Sequence, residues 1–222
     1  YAARTRRGTM PVVPNGVREE WIDRPAGPEP EDLAGMPHPR LGFVGAVFSY
    51  LDYDLLVAVA RAFPSGSLLV VGPIHEPASA ARLAREPNVH FLGPRPQNAV
   101  PGYISWFDVC LSPFRAGAVR RAVNPLKVYE YLACGKPVVS TPLESMAGEP
   151  IAEQIHFAEG SEAYIAALHA ALAENRPEQA AARREAARRY TWESLSEEVE
   201  RILDSAEREW ESTPGAIGGQ GA

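Results

Sequence analysis

Lysine is nearly absent from this chain of 222 residues: of 22 basic side chains only Lys127 and Lys136 are lysines, and the other 20 are arginines. Cysteine is as scarce, with Cys110 and Cys134 alone. Two thiols without Cys-x-x-Cys spacing support neither a disulfide framework nor a zinc site, so a cytoplasmic location is expected. No apolar run approaches the roughly 18 to 20 residues of a membrane span, and no charged-then-apolar leader opens the sequence. An excess of positive charge is missing too. The 28 acidic residues leave a formal net charge of −6, which argues against a general nucleic-acid binder. His38, His75, His90, His156 and His169 show no i,i+4 or ligand-like clustering, so no metal is expected. A Gly-x-Gly-x-x-Gly fingerprint is absent, which disfavours a nicotinamide or flavin enzyme and leaves no cofactor to expect.

What is present is an alternation of short apolar runs and helical patterns. Strands are expected at Leu41 to Val47, Ser67 to Val71, Asn88 to Leu92, Trp106 to Leu111 and Pro137 to Thr141. Helices are expected at Asp52 to Phe63, Ala78 to Arg85 and Pro125 to Cys134, the last with proline in its first turn and Gly135 as its stop. Such alternation predicts an α/β fold with a doubly wound, Rossmann-like parallel sheet. Beyond Gly160 the pattern is helical, ending in a helix capped by Thr191 with Trp192, Leu195, Val199, Ile202 and Leu203 on one face. The group Arg183, Arg184, Arg188 and Arg189 reads as a solvated face, because Glu185 interrupts it. Prolines at 11, 14, 25, 28, 30, 37 and 39 leave no room for a long helix or a central strand. Residues 1–40 therefore read as a linker, 41–210 as one domain, and the glycine-rich 211–222 as a flexible tail.

Ligands of a doubly wound sheet bind outside the carboxyl ends of its strands. That rule nominates the loops Gly45 to Tyr50, Gly72 to Glu76, Gly93 to Gln97 and Pro113 to Asn124. Gly45 and Gly93 allow close backbone approach there. The helix expected from Pro125 would turn its free N–H groups and positive dipole end toward the crevice, a natural cradle for phosphate. Lys127 adds a full charge in its first turn. Glu130 falls three residues on, on the same side of the helix and among apolar neighbours, and a ribose would supply hydroxyl donors to such a carboxylate. A Lys127–Glu130 pair on a solvated helix face is the competing reading. Cys134 reads as a packed small residue, and Asp52 and Asp54 as caps of the following helix.

The stretch Glu130-Tyr-Leu-Ala-Cys-Gly-Lys-Pro-Val-Val139 resembles the E-A-M-A-C-G-K-P-V-V segment of GT-B fold glycosyltransferases of the family 4, or group 1, type. Val12-Val-Pro-Asn-Gly-Val17 is similar to the interdomain linker of those enzymes, Val89-His-Phe-Leu-Gly93 to the strand before their base-binding loop, and Tyr190-Thr-Trp-Glu193 to the start of their C-terminal helix. The resemblance covers about residues 11 to 208 and implies a single GT-B half-domain, the one that binds the nucleoside-diphosphate sugar. The acceptor-binding half would lie outside this chain, and residues 1–40 would be the remnant of the interdomain linker. Glu130 matches the second glutamate of the family's E-x7-E motif, implied to hold the donor ribose. The first glutamate falls at Ala122, the G-F-G cradle is replaced by Val123-Asn-Pro125, and a basic pair is replaced by Phe48-Ser-Tyr50. These departures point to a variant with the pattern N-P-L-K-x-x-E-Y-L-A-x-G-K-P, similar to enzymes of bacterial surface polysaccharide synthesis.

The resemblance thus implies sugar transfer from a nucleoside diphosphate to an acceptor of polysaccharide or glycolipid synthesis, with peripheral membrane association of the full-length enzyme. The donor-site residues it nominates are Glu130, Lys127, Asn124, Leu126, Gly45 and Gly93. Arg95 and Arg115 are further cations for the diphosphate, with a surface or structural role equally open for both. No catalytic base is assigned to this chain, which alone would bind nucleotide weakly and transfer nothing. The rival readings are an inactive nucleotide-sugar-binding or scaffold module and a GT-B-shaped nucleotide-sugar 2-epimerase.

Overall fold

The computed structural model describes residues 3–5 and 8–211. A short antiparallel hairpin of β1 (Ala3–Thr5) and β2 (Gly8–Met10) precedes the main body. Residues 11–39 then hold only two single 3-10 turns, Glu19–Trp21 and Glu31–Leu33, as their prolines dictate. Irregular does not mean detached here. Val17, Trp21, Ile22 and Leu33 are buried in the same apolar cluster as the sheet.

The main body alternates as its periodicity predicts. In order come β3 (Arg40–Val44), α1 (Tyr53–Ala62), β4 (Ser67–Val71), α2 (Pro77–Leu83), β5 (Val89–Gly93), α3 (Val100–Ser105), β6 (Val109–Ser112), α4 (Ala118–Ala122), α5 (Leu126–Ala133), β7 (Val138–Ser140) and β8 (Ile155–Phe157). The chain finishes on α6 (Ser161–Ala173), α7 (Pro177–Arg188) and α8 (Trp192–Glu211). The six strands β3 to β8 form one parallel sheet in the order β5-β4-β3-β6-β7-β8. Alternate strand residues face opposite sides. Val44, Leu69, Cys110 and Val138 pack under α3, α5 and α7, while Phe43, Leu68, Val70, Leu111 and Val139 pack under α1, α2 and α6. The fold is a doubly wound, Rossmann-like α/β domain. Its topological switch point lies between β3 and β6, where the chain reverses its direction across the sheet, and the crevice opens at their carboxyl ends.

Three local expectations are corrected. The strand expected from Trp106 begins three residues later: Trp106 is the C-cap of α3, and Phe107 fills the space that a side chain at Gly42 would occupy, so β6 starts at Val109. Pro125 is the N-cap of α5 rather than a first-turn residue. The arginines of α7 are not a solvated face throughout. Arg183 is buried and its guanidinium donates to the Gly135 carbonyl at 3.4 Å, while Arg184 reaches the Cys134 carbonyl at 3.5 Å. Among the described residues no helix is long and apolar enough to cross a membrane. The expected tail lies, from residue 212 on, outside the described residues.

Candidate functional site

The site is organised by α5. Its C-terminus is closed by backbone bonds from Gly135 N to Leu132 O (2.8 Å) and from Lys136 N to Tyr131 O (3.0 Å), with Gly135 at φ +73°, a left-handed conformation that favours glycine. Arg183 and Arg184 complement the negative dipole end at the same place. The N-terminus is left bare, because Pro125 offers no side-chain cap. Tyr131, fully buried, fixes where that bare end points. Its hydroxyl accepts the Val44 N–H at 2.8 Å, so α5 is pinned to the last residue of β3.

Lys127 occupies the switch point. Its ammonium lies 4.7 Å from the ring centroid of Phe43, 5.0 Å from Phe114 and 5.8 Å from Tyr50, a three-sided aromatic enclosure. The fourth side is Gly45, where a Cβ would stand 3.1 Å from the ammonium nitrogen. The enclosure is built by loops tied to one another. The Thr141 hydroxyl bonds both backbone groups of Phe114, Tyr50 OH donates to Ala46 O at 3.0 Å, and Arg115 N donates to Tyr50 O at 2.9 Å. Tyr50 and Phe114 stack at 5.3 Å. Burial lowers the Lys127 pKa to about 8, against a smaller upward pull from Glu130. The Glu130 carboxyl is pushed up by burial and drawn back in part by Lys127. The two sense each other through space, and neither makes a hydrogen bond or ion pair with another described residue. A half-buried cation and a half-buried carboxylate, both unpartnered, thus face the crevice from one helix.

The other nominated residues divide. Gly45 and Gly93 sit at the ends of β3 and β5 with φ of +144° and +74°. Leu126 is exposed on the first turn of α5. Arg115 is exposed next to the enclosure and forms no ion pair among the described residues. Arg95 is engaged elsewhere: it is paired with Asp32 and bonded to Tyr103 OH at 2.6 Å, which ties the Glu31–Leu33 turn to α3. Asn124 is also engaged. Its Oδ1 accepts from Asn15 N (3.3 Å), its carbonyl accepts from Asn15 Nδ2 (2.6 Å), and its Nδ2 donates to Tyr129 OH (3.1 Å). Among the described residues no three or more His, Cys, Asp or Glu side chains are grouped to hold a metal ion.

Reading residue by residue missed Phe43, Phe114, Tyr131 and Thr141. Each is unremarkable in its own stretch and acquires a role only through a partner elsewhere in the chain. Segments remote in sequence converge at this edge. Asn15 bonds Asn124, and Val17 bonds Tyr190 O (2.8 Å) and Trp192 N (3.0 Å), joining the leading segment to α5 and to the start of α8.

Comparison with known proteins agrees with this architecture. Residues 38–175 match the family described as Glycosyl transferases group 1. The "Putative teichuronic acid biosynthesis glycosyltransferase TuaH" of Bacillus subtilis (strain 168) is 32% identical over 199 residues, which are 87% of this chain and 50% of that protein. Among solved structures, the sucrose-phosphate synthase of Thermosynechococcus elongatus aligns with a TM-score of 0.66 at 20% identity, over 91% of this chain and 54% of that one. Anabaena Alr3699/HepE, solved in complex with UDP-glucose, aligns with a TM-score of 0.63 at 17% identity, over 86% of this chain and 56% of that one. The chain spans about half the length of these relatives. By its sequence match over the sheet and its GT-B type fold, the chain belongs to the glycosyl transferases group 1 family.

Proposed function

We propose that this chain binds the donor of a glycosyltransferase reaction, a nucleoside-diphosphate sugar, in the crevice at Lys127. The observation that carries the reading is the pair of unpartnered charges on α5, at the switch point of the sheet and beside a bare helix N-terminus. A diphosphate satisfies the ammonium and the free N–H groups of Leu126 and Lys127 together. Glu130, one turn deeper, accepts the ribose hydroxyls. Gly45 lets the diphosphate approach the backbone, Arg115 adds charge at the rim, and Gly93 leaves room at the end of β5 for the base. The leaving diphosphate is stabilised by groups that are already in place, which is how preorganised electrostatics lowers a barrier. No general base is assigned to these residues. The acceptor side would come from the part of the relatives that this chain does not span, and the product would be a surface polysaccharide or glycolipid, in keeping with the name of the Bacillus relative.

Calorimetry with UDP, GDP and ADP tests the reading on the chain as it stands. One of them should bind, and Lys127→Ala and Glu130→Ala should each weaken it by about tenfold or more, the cost of a lost hydrogen bond to a charged group. The reading fails if no nucleoside diphosphate binds or if both substitutions leave affinity unchanged. Ala122, where the family pattern has a carboxylate, favours a second reading, a module that binds the donor without transferring it. Release of nucleoside diphosphate from donor and acceptor by a protein that also carries the other half would separate the two.

A further inference from the structure

Lys127 and Lys136 are the two lysines of the chain, and α5 sets them at its opposite ends. Lys136 follows the C-terminus, where its N–H closes the helix on Tyr131 O at 3.0 Å. Lys127 belongs to the first turn, beside N–H groups that no side chain caps. One lysine therefore stands at the end of the helix that attracts anions, the other at the end that repels them. The Lys127 amine also lacks what usually keeps a lysine inert. It makes no hydrogen bond or ion pair with another described residue. The rings of Phe43, Tyr50 and Phe114 offer it only their faces. A Cβ at Gly45 would stand 3.1 Å from the nitrogen, so the glycine leaves open a gap that a side chain would close. Burial lowers the pKa to about 8, and near neutral pH a fraction of the amine carries a free electron pair, as an ordinary lysine hardly does. A desolvated amine of this kind is a nucleophile.

A nucleophile and an anion site on one helix turn define the electrophile that suits them, an acyl carbon joined directly to a phosphate. We infer that Lys127 is an acylation site for acyl phosphates: the bare end of α5 receives the phosphate, and the Lys127 amine attacks the adjoining carbonyl carbon. A C–N bond forms as the C–O bond to phosphate breaks. Phosphate leaves with the electron pair and takes up the proton that the amine gives away. The product is a neutral amide, which removes the cation from the crevice. An acylated chain should thus bind a nucleoside diphosphate as weakly as Lys127→Ala does, so acylation would shut the donor site. This rests on the phosphate-binding part of the reading proposed above and on no contact to ribose or base.

Acetyl phosphate tests this on the unaltered chain, with the acetylated residues and their rates read by peptide mass spectrometry. Lys127 should acetylate about tenfold faster than Lys136, which serves as the internal reference. With p-nitrophenyl acetate, a neutral acyl donor that offers the helix end no phosphate, that ratio should fall about threefold, the worth of an anion at a helix N-terminus. Inorganic phosphate should slow the reaction of Lys127 with acetyl phosphate and leave that of Lys136 unchanged. Equal rates at the two lysines overturn the inference, and so does a preference for Lys127 that is the same with both acyl donors. UDP, GDP and ADP added in turn separate this from the donor-site reading. If Lys127 acetylates as expected and none of the three slows it, the inference stands and the donor-site reading falls. If one of them binds and Lys127 is no more reactive than Lys136, the donor-site reading stands and the inference falls.

Discussion

An ammonium surrounded by three aromatic rings is attracted by their faces yet remains without a counter-ion, and Lys127 shows the cost in its lowered pKa of about 8. Below that value the folded and unfolded chains are both protonated at Lys127, and the fold carries an enclosed charge. Between about 8 and the ordinary 10.5 the unfolded chain binds a proton that the folded chain does not, so this residue's burden on stability is relieved as pH rises. Affinity for a diphosphate should run the other way and fall as pH is raised through about 8, which calorimetry at pH 7 and pH 9 would register. Lys127→Met should raise the thermal midpoint near pH 7 by about 2–4 °C, corresponding to about 1 kcal/mol, with the gain shrinking at pH 9. A lower midpoint for the methionine variant would contradict this account of the charge.

At the scale of the element, α5 is asymmetric in what holds its two ends. Tyr131→Phe deletes the hydroxyl that accepts the Val44 N–H and leaves a buried donor unsatisfied, at a cost of about 1–3 kcal/mol. Denaturant unfolding should show this loss, and the Val44 amide should exchange faster. Arg183→Met keeps most of the buried volume but removes the charge at the C-terminus of α5, and should cost about 1 kcal/mol. Much of the element pattern was legible in the sequence. The five expected strands contain β3 to β7 or overlap them, and Gly135 marks the end of α5, because apolar runs and glycine stops are local signals. Others were not. β8 is three residues whose edge position leaves Phe157 exposed, α3 holds Pro101 and Gly102, residue types that favour turns over helices, and α4 is a single turn of Ala-Val-Arg-Arg-Ala. Lys127 and Glu130 stood out as charges in an apolar stretch. The rings around Lys127 did not, since Phe43 lies on β3 and Phe114 in the loop after β6, and they meet only where those two strands lie side by side. Arg183 failed to read correctly for the same reason, its partner being 48 residues away, and the structural role left open for Arg95 depended on Asp32, 63 residues away.

At the scale of the whole molecule, a ligand in the crevice stabilises the fold by mass action. A nucleoside diphosphate at about 100 times its dissociation constant should add about 2.7 kcal/mol, a rise of several degrees in the thermal midpoint that a tenfold loss of affinity in Glu130→Ala cuts to about half at equal concentration. The irregular leading segment belongs to this cooperative unit through its buried Trp21, Ile22 and Leu33. Asn15→Ala should therefore lower stability by about 1–2 kcal/mol and speed proteolytic cutting within residues 11–20, because it removes the Nδ2–H···O bond to Asn124.

That Asn15–Asn124 contact has a mechanical side. Residues 12–15 share no ladder with the main sheet, so a pull on this segment reaches the body of the domain through Asn15 and the Val17 bonds. The first of these loads Asn124, the residue before the cap of α5. A ligand at the helix end that displaces Asn124 would therefore alter the hold on residues 12–15, and tension on that segment would alter the ligand's affinity by the same free energy.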